Sequence, residues 1–155
     1  MTEIGFYHLT RSTLEQALPR LLEKVVASGA RAVVRVGAPE RLDALDRHLW
    51  TYRPDSWLPH GSRADEHSAD QPVWLTTGTD RPNDASVLVL VDGQPHEAIE
   101  AYTRVLDLFD GTDTAAVEAA RERWRTARER GHRLVYWQEG NGTGWRRAAE
   151  HVPAA

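Results

Sequence analysis

The chain has 155 residues, of which 41% are hydrophobic and 27% charged, and a formal net charge of -4 at pH 7. That size and balance fit one globular domain with its own core and exclude a disordered chain. The absence of cysteine excludes a disulfide scaffold, a thiolate nucleophile and Cys-ligated zinc, and the negative balance argues against a general nucleic-acid coat, which needs a basic surface.

The opening Met1, Thr2, Glu3 lacks a basic stretch followed by an apolar one, and no run approaches the roughly eighteen apolar residues of a membrane helix. A soluble, cytoplasmic protein is expected. Ile4 to Leu9 reads as a strand running into the turn at Thr10, Arg11, Ser12. Ser12 and Glu15 have capping-box spacing. Leu14, Ala17, Leu18, Leu21, Leu22 and Val25 then follow at helical spacing, with Gly29 to end the helix. Ala32 to Val36 reads as a buried strand, and Pro39 opens a second helix with Leu42, Leu45 and Leu49 on its apolar face. A β-α-β-α opening implies a parallel sheet with right-handed crossovers.

From Thr51 to Pro72 the composition turns to Pro, Asp, Ser, His and Gly, which predicts a long loop. Val73 to Thr77 and Ser86 to Val91 are the next strands. The second is apolar on both faces and therefore central. Tyr102 to Phe109 has strand character, a helix runs from about Asp113 to Arg130 and stops at Gly131, and Arg133 to Trp137 is a last strand. The expected architecture is a single α/β domain over residues 1–138, a mostly parallel central sheet flanked by helices. A flexible tail, 139–155, is expected to fray.

Motifs of catalysis are missing. There is no Gly-x-x-x-x-Gly-Lys-Ser/Thr loop, no Gly-x-Gly-x-x-Gly after the first strand and no Gly-x-Ser-x-Gly elbow. Gly140, Gly142 and Gly144 follow the last strand with no helix after them and read as a turn. His60, Asp65, Glu66 and His67 cluster in the loop, but their spacing matches no zinc motif. No metal and no cofactor are expected.

The long helix is more informative. Arg121, Arg125 and Arg128 recur at i, i+4 and i+7, so they share one face, with Trp124 beside them. Ala116, Ala120 and Ala127 occupy an opposite sector suited to close packing on the sheet. Two readings of the arginine stripe stand open. One is a solvated face whose arginines pair with Glu118, Glu122 and Glu129. The other is a basic, aromatic-lined groove for an acidic peptide, in which arginine forks hold carboxylates.

Three stretches together resemble the chi subunit family of bacterial DNA polymerase III. They are Phe6, Tyr7, His8, Leu9; the stretch from Leu42 to His60, with its Leu-Asp-x-x-Leu-Trp pattern and Ser56, Trp57, Leu58, Pro59, His60; and Ala120, Arg121, Glu122, Arg123, Trp124, Arg125. The resemblance reaches to about Trp137. It implies a non-catalytic accessory subunit in DNA replication that binds the acidic, Phe-ended C-terminal tail of single-stranded-DNA-binding protein and links it to the clamp loader, in some bacteria through the psi subunit. Carried over, the tail contacts fall on Arg121, Trp124 and Arg125, to which spacing adds Arg128 and Phe109. Trp124 stands where the family usually has tyrosine, keeping an aromatic wall without the hydroxyl. Trp50 and Trp57 are candidates for a psi-binding surface, or alternatively for core or loop packing. The rival reading is a small nucleotide-binding or enzymatic α/β domain, with its ligand outside the carboxyl ends of the strands.

Overall fold

The computed structural model describes residues 2–51, 60–62, 68–139 and 144–153. The expected opening is present as β1 (Glu3–Leu9), α1 (Leu14–Ala27), β2 (Ala32–Arg35) and α2 (Pro39–Thr51). There follow β3 (Gly61–Ser62), a 3-10 turn at Ser68–Asp70, β4 (Val73–Thr76), β5 (Val87–Leu90), β6 (Arg104–Asp110), α3 (Thr114–Glu129), β7 (Arg133–Glu139) and β8 (Trp145–His151). The strands form one 8-stranded sheet in the order β3-β4-β2-β5-β6-β1-β7-β8. Every pairing is parallel except that of β7 with β8. β5 is buried along its whole length between β2 and β6, the place its two apolar faces predict.

Two features depart from expectation. The segment expected to be a long loop, Thr51 to Pro72, contributes β3 to one edge of the sheet. The tail expected to fray contributes β8 to the other edge, where Trp145 packs edge-on against Tyr7 with ring centroids 5.1 Å apart. Pairing with β8 satisfies backbone groups that β7 would otherwise leave open at an edge.

The crossovers explain the layering. From β1 the chain runs through α1 to β2 on one side of β1. From β6 it runs through α3 to β7 on the other. Right-handed connections in opposite directions put their helices on opposite faces. Leu18, Leu22 and Val25 of α1 and Leu42, Leu45 and Leu49 of α2 therefore join Leu9, Val34, Val89 and Leu108 in one apolar cluster. Ala120 and Ala127 of α3 join Ile4, Phe6, Val105, Phe109 and Leu134 in the other.

The cap of α1 falls one residue later than Ser12. Thr13 is the N-cap and Gln16 completes the capping box. Ser12 is unavailable because its N–H and hydroxyl both donate to the Glu139 carboxylate, at 2.9 and 2.7 Å. Glu15 instead meets Arg41 of α2 at 3.0 Å. Pro19 lies inside α1 and has no N–H for the Glu15 carbonyl. The His48 ring nitrogen of α2 fills that vacancy at 2.5 Å, donating to the carbonyl and tying the two helices together.

Candidate functional site

The loops that leave β1 and β6 diverge to opposite faces, which makes their carboxyl ends a topological switch point, the usual ligand crevice of open α/β sheets. A cleft of about 730 Å³ lies there, lined by residues that include Arg11, Ser12, Arg41, Asp113 and Arg123. Its principal donors, the β1–α1 turn N–H groups, Arg41 and Arg123, are already engaged. The backbone N–H groups of Thr10, Arg11 and Ser12 all donate to Glu139 Oε1 at 2.9–3.0 Å. A phosphate-binding fold keeps such a nest for its ligand, whereas here a carboxylate from β7 occupies it. Burial alone would raise the Glu139 pKa, but the hydrogen bonds from Ser12, Arg11 and Thr10 hold it below its ordinary value. Arg41 is shared between Glu15 and Asp92, and Arg123 is bound to Asp107.

α3 presents a different surface. Asp113 caps it by accepting the Ala115 N–H at 3.0 Å. Ala120 and Ala127 are buried, so the helix lies close to the sheet as the alanine sector predicts, while Ala116 is half-buried. Arg123 turns back to the sheet and forms a two-pronged ion pair with the buried Asp107 of β6, Nε to Oδ2 at 2.7 Å and Nη2 to Oδ1 at 3.0 Å. His96 approaches the same carboxylate at 2.9 Å.

With that side fixed, Arg121, Arg125 and Arg128 are exposed and Trp124 is half-buried beside them. Arg125 pairs with Glu122 on the surface, both side chains about two-thirds exposed, whereas Arg121 and Arg128 form no ion pair with a described residue. Exposed pairs of that kind contribute little and exchange readily. Of the arginine–glutamate pairings that a solvated face would have, the Glu122 one is therefore present.

Trp124 stands edge-on to Phe6 of β1, with centroids 5.3 Å apart, and to Tyr136 of β7, at 6.0 Å. Tyr136 also faces Phe109 at 6.2 Å, and its hydroxyl meets the His8 Nδ1 at 2.5 Å. Burial raises the Tyr136 pKa, and the positive charge of Arg121 opposes that rise. Sequence spacing named Arg121, Trp124, Arg125 and Arg128 for this face but missed His8 and Tyr136. Alternation was the available signal: Phe6 and His8 point to one side of β1, as Leu134 and Tyr136 do on β7.

Phe109 is only 5% exposed and lies in the core beneath His8 and Tyr136. Expected as a neighbour of the tail contacts, it is a buried side chain beneath them, because the odd-numbered residues of β6 turn under α3. Trp50 is 50% exposed at the end of α2 and packs at a tilt against the buried His60 ring, with centroids 4.1 Å apart. Trp57 lies outside the described residues, as do Asp65, Glu66 and His67. His60 is engaged by Asp46 at 3.1 Å. Among the described residues no group of three or more metal-ligating side chains comes together, and no helix is long and apolar enough to cross a membrane.

Fold and site together define an α/β domain that displays an arginine-bearing, aromatic-backed helical face. The chain belongs to the DNA polymerase III chi subunit family, HolC, whose model matches residues 1–135. It is 31% identical over 117 residues to a probable DNA polymerase III subunit chi of Rickettsia prowazekii, covering 71% of each chain. It is 29% identical over 137 residues to the DNA polymerase III subunit chi of Pseudomonas aeruginosa, covering 86% of this chain and 94% of that one. The family resemblance read from the sequence is thus borne out, and it places the chain among the accessory subunits of a replicative polymerase.

Proposed function

We propose that this chain is a non-catalytic adaptor in the cytoplasm, which receives the acidic, Phe-ended C-terminal tail of single-stranded-DNA-binding protein on α3 and links it to the clamp loader. The observation that carries this reading is the exposed guanidinium of Arg121, which forms no ion pair with a described residue, standing beside an indole that an aromatic cluster holds in place. A chain-terminal Phe brings a ring and a carboxylate together, and the acidic residues before it add charge for Arg125 and Arg128. A contact of this size supports micromolar affinity, on the order of -8 kcal/mol. Several tails on one oligomer raise avidity without new contacts. Trp50 and Trp57 are read as the psi-binding candidates, and the half-exposed indole of Trp50 supports this for its part, since exposed aromatic side chains favour partner contacts.

The nucleotide-binding alternative is disfavoured because Glu139 fills the β1–α1 nest and its negative charge faces the place a phosphate needs. Fluorescence anisotropy with a labelled acidic peptide ending in Phe tests the reading. Binding at low salt that falls about tenfold in Arg121→Ala or Arg125→Ala supports it. Absence of wild-type binding, with thermal stabilisation by a nucleotide instead, refutes it.

A further inference from the structure

We propose that Tyr136 and His8 extend the same site, with the Tyr136 hydroxyl donating a hydrogen bond to the terminal carboxylate of the peptide while the His8 imidazole orients it; this rests on the acidic-tail reading above. The two residues interrupt an apolar surface. Ile4 and Phe6 on β1 and Leu134 on β7 are fully buried under α3, and the next residues on that face, His8 and Tyr136, are polar and only half-buried. Tyr136 lies one residue beyond the segment that the family model matches.

The pair is built rather than incidental. A Cβ on Gly111 would stand 1.9 Å from the His8 Cδ2, so the ring occupies the space that glycine leaves open. Phe109 closes in from below, with ring centroids 5.1 Å apart. The imidazole is thereby held with Nδ1 on the Tyr136 oxygen at 2.5 Å. That contact admits two proton arrangements. In one the phenol donates to Nδ1, and in the other Nδ1–H donates to the phenol oxygen.

The second arrangement releases the phenol proton for another acceptor. A carboxylate drawn in by Arg121, whose charge already acts on this hydroxyl, favours it by offering a charge-assisted O–H···O bond. Tyr136 is then a contact residue and His8 a positioning residue. The indole N–H of Trp124 supplies a donor but no hydroxyl, so the phenol is a distinct recognition element of this surface.

The test compares two peptides of one sequence, an acidic chain ending in Phe with a free carboxylate and its C-terminal amide, titrated by anisotropy against the full chain. Wild type prefers the free acid. Tyr136→Phe and His8→Leu are each expected to weaken the free acid about tenfold and leave the amide unchanged. Either variant serves if the other fails to fold. Equal weakening of both peptides assigns Tyr136 to packing alone and overturns the proposal. So does wild-type behaviour of Tyr136→Phe while Arg121→Ala still weakens binding, a result that spares the adaptor reading. Failure of wild type to bind either peptide removes both.

Discussion

Replacing Arg123 by alanine should damage the fold more than any change among the displayed arginines. The guanidinium is the two-pronged partner of Asp107, whose side chain is 2% exposed, so its removal leaves a buried carboxylate with, among the described residues, only the His96 contact at 2.9 Å. Breaking a buried pair in this way costs about 3–5 kcal/mol, against a total of about 5–15 kcal/mol for a domain. The urea midpoint should fall accordingly, and Tm should drop by about 10 °C. The double variant Asp107→Asn, Arg123→Ala removes the stranded charge and should recover part of the loss, so the two changes should be strongly non-additive. Arg125→Ala, which breaks only an exposed pair with Glu122, should change stability by less than about 1 kcal/mol. An Arg123→Ala variant as stable as Arg125→Ala, or strict additivity in the cycle, would refute the assignment of Arg123 as the anchor of α3.

Glu139→Ala should destabilise by about 1–3 kcal/mol by freeing three N–H groups of the β1–α1 turn. Because the Glu139 pKa is lowered in the fold, this contribution is fully present above the ordinary glutamate value of about 4.3. It fades as pH falls through the depressed value, so wild-type and variant denaturation curves should converge in acid. His48→Ala leaves the Glu15 carbonyl without the donor that Pro19 cannot supply and should cost about 1–3 kcal/mol by chemical denaturation. In Gly111→Ala the new methyl would meet His8 at 1.9 Å and the Leu9 carbonyl at 2.7 Å. The loss should exceed about 2 kcal/mol, and Tyr136 fluorescence should change as its histidine partner is displaced.

Local pattern and punctuation carried the fold a long way. The apolar faces of α1 and α2, the central place of β5 and the helix of Thr114–Glu129 all follow from periodicity and caps. β8 was not legible because Trp-Arg-Arg-Ala-Ala-Glu-His has no β-branched residue and is mostly exposed, so neither propensity nor alternation marks it. The Ser12 cap failed for a long-range reason: Glu139, distant in sequence, takes the groups that Ser12 would have offered to the helix. At the candidate site, helical spacing put Arg121, Arg125 and Arg128 on one face and Arg123 about 200° from Arg121, in the alanine sector, but named no partner for it. Asp107 on β6, reached through tertiary packing, supplies that partner and makes Arg123 an anchor, while Arg121 stays displayed.

That distinction bears on how α3 is held. A helix turns by about 100° per residue, so fixing one side chain fixes the direction of all the others. The Arg123–Asp107 pair sets the rotation of α3, and the buried Ala120 and Ala127 set its distance from the sheet. The edge contact of Trp124 with Phe6 adds a further constraint on the same helix. Arg121, Arg125 and Arg128 are therefore carried by a rigid element, although Arg121 and Arg128 form no ion pair with a described residue and Arg125 holds only its exposed pair with Glu122. A surface arranged in this way loses little backbone entropy when a ligand arrives, and only the arginine rotamers remain to be ordered. Substitutions of the displayed arginines should consequently alter binding while leaving stability nearly unchanged, and substitutions of the anchor should do the reverse at any temperature where the variant remains folded.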